Sequence, residues 1–358
     1  MNGLCVGLCV ALLMCFSETA MQSAQEAAMV FAQGVMPALF PLMVLCGLLS
    51  PKQQRNPARL RRGQFFGLLF FAFAAGSPAS AKRVRQLSQA GLVQRAQMLP
   101  LLALTGVMSP MFFVGTLSGW TGLPTAAWAM LGLHWASALL AGGCCFLYQR
   151  LQKNAKGFKT APQGERGEKI QNADAVKNSV MSALPAAVTS AAQALLAVCG
   201  SMMVFAIVMG VLRAALAAVL PQWTAAHRPF LAVLHALLEI GGGAAEVLSS
   251  FEAPPLPLLC GLCSFGGLSI WLQNLLFVGE CVRPAKLLLL RALHGALAYG
   301  LCRLLFGCFP MLAQAFMPMA GGTEALHVIR AHISPLLPLL LLLLTALAAR
   351  FPRPSASS

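Results

Sequence analysis

Glu239 and His235 stand four residues apart inside the apolar run Phe230 to Ser250. On a continuous helix that spacing places a carboxylate and an imidazole on one face. Ionisable side chains at membrane depth are expensive and point first to function, here proton coupling or contact with a solute. The structural alternative is a pair that closes a buried polar network. Gln273 can both donate and accept hydrogen bonds, which suits either a ligand group or a bond between helices. Ser77 and Ser80 stand in and just after the break Gly76-Ser77-Pro78, and Ser269 follows Gly266-Gly267. Helix ends at such breaks leave N–H groups free, and these attract anions. Ser77, Ser80, Gly266, Gly267, Ser269 and Gln273 are therefore candidate substrate-binding residues. The alternative for the serines is that each hydroxyl caps its own helix.

Other reactive side chains lack partners in the sequence. Cys260 and Cys263 form a C-x-x-C with no second pair and no neighbouring His, so no tetrahedral metal set is expected. Glu324 and His327 have Glu-x-x-His spacing in a Gly-rich stretch without further ligands. His134 and His294 sit singly in apolar runs and read as packing residues, Glu246 as solvated near a helix end, and Lys82 and Arg83 as charges that orient the chain. There is no nucleophile elbow, Walker loop or His-Glu-x-x-His. Neither an enzyme nor a cofactor is expected.

The elements that must position these residues are membrane helices. With 58% hydrophobic and 10% charged residues and a mean hydropathy of +0.75, the chain reads as an all-α polytopic membrane protein, the bilayer its partner. The net charge of +15 sits mostly in basic clusters between apolar runs, which argues for orientation in a bilayer rather than for nucleic acid. Crossings are expected near Ala27 to Ser50, Met98 to Gly119, Leu123 to Tyr148, Leu184 to Leu220, Phe230 to Ser250, Lys286 to Phe309 and Pro335 to Ala349. Leu184 to Leu220 is long enough, about 55 Å as a helix, to cross twice. Leu4 to Phe16 is short, a first span or an interfacial helix. Residues 1–149 form a first membrane half, 150–180 a basic cytoplasmic linker, 181–350 a second half and 351–358 a tail.

Two basic loops, Pro51 to Arg62 and Lys82 to Arg95, carry nine Lys or Arg and no acid. Short loops of that kind stay cytoplasmic. The segment between them, Phe65 to Ala81, then leaves and re-enters on one side as a re-entrant hairpin, with the Gly76-Ser77-Pro78 break near its end supplying the bend. A second interrupted segment lies at Leu256 to Val278. Sliding the chain by 189 positions sets Ser80 to Gly106 on Ser269 to Gly295 without a gap, and nine of the 27 positions are identical, Ser80/Ser269, Val93/Val282 and Gly106/Gly295 among them. The pattern predicts duplicated helical repeats with two re-entrant or broken hairpins. Paired interrupted segments in two halves point to a transporter site at the repeat interface.

Phe265-Gly266-Gly267-Leu268-Ser269-Ile270-Trp271-Leu272-Gln273, Val35-Met36-Pro37-Ala38-Leu39-Phe40-Pro41, Gly76-Ser77-Pro78-Ala79-Ser80-Ala81-Lys82, Ser109-Pro110-Met111-Phe112-Phe113-Val114-Gly115 and Leu238-Glu239-Ile240 together resemble, in order, the nucleoside-recognition or Gate domain proteins. The closest resemblance is to the YlbJ family of sporulation integral membrane proteins, and it spans about Ala27 to Phe309. This chain departs where Thr105 to Met108 replace a polar Asn before the Ser-Pro motif, and where Trp271 replaces a His. The resemblance implies a permease-like protein of the cell membrane, with the outer forespore membrane as its expected place during sporulation. Its small-molecule solute is expected to be anionic and dipicolinate-like. The alternatives are a nucleoside transporter and a non-transporting scaffold for spore-envelope assembly.

Overall fold

The computed structural model describes residues 3–49, 60–121, 124–155, 180–252 and 255–308, and among these the regular elements are helical, with no strand. Five helical segments are long and apolar enough to cross a membrane: Ser17–Leu48, Thr125–Gln152, Ser182–Val219, Leu256–Cys281 and Pro284–Cys308. The chain is an all-α, multi-pass membrane protein. The expected span Pro335 to Ala349, the pair Glu324 and His327, the tail, and most of the linker and of the first basic loop lie outside the described residues.

After α1 (Gly3–Cys15), α2 (Ser17–Val30), a π-helical turn at Phe31–Val35 and α3 (Met36–Leu48) make one rod. It packs antiparallel to α9 (Val180–Val219), with Gly47 against Ala187 and Gly210 against Ser23. Small residues bring helix backbones close where lipid offers no hydrophobic driving force. α9 is a single helix of 40 residues, so the double crossing expected for Leu184 to Leu220 does not occur. Gly200 and Gly210 are both helical, and neither turns the chain.

Between these rods lie α4 (Arg62–Ala75), α5 (Ala79–Gln89), α6 (Arg95–Thr105), a π-helix at Met111–Leu117, α7 (Ser118–Thr121) and α8 (Pro124–Ala155). Met98 to Gly119 is therefore not a continuous span. α6 ends at Thr105, and residues 106–109 are non-helical before Pro110, whose ring disfavours helical geometry at Ser109. α8 runs back along α6, with Gly142 against Leu104 and the Gln149 amide donating to Ala96 O at 2.9 Å.

The second half continues with α10 (Pro221–Ala226), α11 (Arg228–Leu238), α12 (Ile240–Ser250), α13 (Leu256–Phe265), α14 (Gly267–Val278), a 3-10 turn at Gly279–Cys281 and α15 (Pro284–Cys308). Phe230 to Ser250 is not a crossing either. The chain turns at Glu239, whose backbone is extended (φ −138°, ψ 116°), and α12 folds back on α11. A Cβ on Gly243 would lie 2.3 Å from Ala236 Cα, so only glycine permits this approach. α13 and α15 pack antiparallel just as closely: a Cβ on Gly295 would meet Gly261 O at 2.8 Å.

In the two segments that align at an offset of 189, several element boundaries fall at matching positions. With Ser80 set on Ser269, α5 covers 268–278, inside α14, and Arg95 at the start of α6 falls on Pro284 at the start of α15. They diverge at the other end, where α6 stops at Thr105 and α15 continues to Cys308.

Candidate functional site

Four interruptions, at Gly76 to Pro78, Gly106 to Ser109, Glu239 and Gly266-Gly267, pack on one another in a chain of contacts. At the first, Ser77 N–H donates to Val107 O at 2.5 Å, and a Cβ on Gly76 (φ +71°) would meet Ser109 N at 2.4 Å. The Ser77-Pro78 peptide is cis. The second and fourth are joined by Arg291 from α15: its Nε donates to Phe265 O at 2.8 Å and its Nη1 donates to Gly106 O. At the fourth, Gly266 and Gly267 both adopt positive φ, and a Cβ on Gly267 would lie 3.1 Å from Leu238 O and 3.3 Å from Ile240 N, against the Glu239 turn.

His134 of α8 links the same breaks. Met108 N–H donates to its Nε2 at 2.8 Å, which fixes the ring proton on Nδ1, and Nδ1 faces Ser264 Oγ at 2.8 Å. His294 stacks on His134 at 4.7 Å between centroids, and its Nε2 donates to His134 O at 3.0 Å. Both rings and Arg291 are buried. The expectation that the two histidines are satisfied interior residues holds in its hydrogen bonding, although they belong to a network rather than to plain packing.

The candidate residues divide. Ser77 Oγ donates to Asn274 Oδ1 at 2.5 Å and Ser80 Oγ donates to Thr105 O at 2.7 Å. Neither caps α5, which has no side-chain cap. Gln273 donates to Ser201 Oγ of α9 at 2.9 Å, the helix-to-helix bond that stood as its alternative. Ser269 Oγ is buried with no hydrogen-bond partner, and it does not cap α14.

Glu239 and His235 do not share a helical face, because α11 ends between them and the carboxylate. Glu239 is the N-cap of α12, accepting from Gly241 N at 2.8 Å and Gly242 N at 2.7 Å. A carboxylate at a helix N-terminus satisfies otherwise orphaned donors and the dipole together. His235 Nδ1 instead pairs with Glu246 at 2.9 Å, and Glu246 also forms an ion pair with Arg213 of α9. The solvated reading of Glu246 is thus replaced by a half-buried triad.

No family model, curated protein or solved structure matches the chain.

The basic residues of α5 and the following loop have specific partners. Lys82 Nζ donates to Ser190 Oγ at 2.8 Å, and Arg83 donates to Leu49 O at 2.5 Å. Burial pulls the Lys82 ammonium and the Arg83 guanidinium below their ordinary pKa values. Arg95 donates to Glu280 O at 2.7 Å, and Arg85 to the Cys281 sulfur, so the connectors after α5 and α14 are tied together. Among the described residues no group of three His, Cys, Asp or Glu side chains could hold a metal ion.

The residues that reading by pattern passed over are Arg291, Thr105, Ser109, Ser264 and Asn274. Arg291 carried a usable signal, a charge in the middle of the apolar run Lys286 to Phe309.

Proposed function

We propose that this protein is a transporter that moves a small anionic solute, of which a dipicolinate-like dicarboxylate is the leading candidate. The observation that carries the reading is the packing of four helix interruptions against one another, two of them held by a buried arginine. Non-helical backbone at membrane depth persists where it is buried in protein or lines a cavity, and discontinuous helices that meet near the centre are how secondary transporters build solute sites. The buried guanidinium favours negative charge in the solute. On the sequence resemblance, the protein acts in sporulation, with the outer forespore membrane as its site, and the two broken segments are re-entrant copies of one repeat.

Proton coupling is best assigned to His235 with Glu246. Glu239 is engaged by the first turn of α12, where both of its oxygens already accept from backbone N–H groups. The nucleoside reading loses support for the same reason, since Glu239 and Gln273, the groups that would bond a neutral solute, both have partners inside the protein. Uptake and efflux in proteoliposomes of dipicolinate, other dicarboxylates and uridine, with and without a pH gradient, test the proposal. Dicarboxylate flux is expected. Uridine flux without it would overturn the proposal.

A further inference from the structure

α14 starts at Gly267 with no side-chain cap bonded to its first turn, so its amino end presents N–H groups and the positive end of the helix dipole. Two unpartnered donors meet that turn. Arg291 Nη2 is one: Nε and Nη1 are held by Phe265 O and Gly106 O, while Nη2, buried, has no acceptor. It lies directly over the helix start, since a Cβ on Gly266 would fall 2.3 Å from it. Ser269 Oγ is the other. The residue is 0% exposed and its hydroxyl has no partner. It stands in the first turn of α14, the turn whose start Arg291 covers.

The ion pairs among the described residues do not include Arg291. The nearby His134 and His294 bond to other groups, and the Glu239 carboxylate is turned to α12. A buried guanidinium without an anion is an uncompensated charge.

We propose that Arg291, Ser269 and the first turn of α14 form a binding subsite for a carboxylate or a similar small oxyanion. The subsite rests on the transport reading above and names the group that holds the solute's charge. One anionic oxygen accepts from Nη2, and the other from Ser269 O–H and an N–H of the first turn. The two carbonyls that hold Nε and Nη1 aim the fork, which a lysine could not reproduce. Both donors are sealed from solvent, so the anion is bound occluded, and the Gly266-Gly267 link is the joint at which α14 shifts to admit it.

The test uses the purified full chain in detergent, with dipicolinate, succinate and sulfate as probes and uridine as the neutral control, followed by equilibrium binding and thermal unfolding. Ser269→Ala removes a hydroxyl that bonds to nothing in the free protein, so without anion it should unfold at the parental temperature or above. Its dicarboxylate affinity should fall at least about tenfold, the size of one hydrogen bond to a charged group. Arg291→Lys should weaken binding by about as much or more, and Arg291→Gln further still. If the arginine variants fail to fold, Ser269→Ala alone decides. Parental affinity in Ser269→Ala, together with parental affinity in any folded Arg291→Lys, would overturn the subsite while dicarboxylate binding and flux leave the transport reading standing. A parent chain that binds none of the three anions but binds uridine would overturn both.

Discussion

Replacing Glu239 by Gln separates a helix cap from a proton-coupling group. In the native chain the two carboxylate oxygens accept from Gly241 N at 2.8 Å and Gly242 N at 2.7 Å. The amide keeps one acceptor oxygen and turns an NH2 toward the second N–H, so one charge-assisted bond is lost and a donor is left unpaired. That single loss costs about 1 to 3 kcal/mol, and losing the charge at the helix start adds about 0.3 to 1 kcal/mol. About 3 kcal/mol is the expected total, near a hundredfold in the population of the folded α11–α12 turn. Glu239→Asp keeps the charge at a favourable capping residue and should lose less than half of that. Hydrogen exchange at residues 240–244 and unfolding in mixed detergent measure both. If Glu239→Gln keeps parental stability and amide protection yet abolishes the pH response of flux, the carboxylate is a titrating group and the capping argument fails.

Gly76→Ala should destabilise by about 3 kcal/mol or more, because it adds a side chain at positive φ and a Cβ 2.4 Å from Ser109 N; Gly132→Ala, with nothing within 4 Å, should be neutral or stabilise by about 0.5 to 1 kcal/mol. Equal losses in the two would refute the packing of the breaks. Glu246→Gln should cost about 1 to 2 kcal/mol, between the values for exposed and buried pairs, and flatten the pH profile of flux; a double-mutant cycle with Arg213→Gln that returns no coupling removes the pair. Single cysteines at Gln54 and Gln89 in a Cys-less chain should both react with an impermeant reagent from the cytoplasmic side, and labelling from opposite sides would sink the hairpin between them.

Hydropathy found four of the five long apolar segments by crossing and the fifth as interrupted, and Gly76-Ser77-Pro78 and Gly266-Gly267 announced two of the breaks because glycine and proline act on the local backbone. The other two breaks hid inside apolar runs. Gly106 and Pro110 bracketed one, and an acid followed by Gly241-Gly242-Gly243 marked the other as a cap, but a hydropathy window averages over both signals. Serines 77 and 80 were found as buried residues at a break, yet their partners, Asn274 and the carbonyl of Thr105, are set by packing between distant segments. The Arg213–Glu246–His235 triad likewise depends on α12 folding back, which no helical spacing anticipates. Arg291 was legible as a misplaced charge, its two carbonyl partners were not.

The four breaks are interlocked, and that has a kinetic meaning. Gly76 cannot move without Ser109, the Gly106 carbonyl is gripped by the arginine that also grips Phe265, and Gly267 rests on the Glu239 turn. Four independent hinges would relax with a spread of rates and leak through partly opened states. Breaks joined in one continuous chain of contacts instead present one shared barrier, so opening should follow a single exponential, and substitutions at any of the four places should change the same rate constant. In the proposed transporter, tight coupling of solute movement to a driving gradient would then come from mechanical cooperativity in the backbone, with no separate latch.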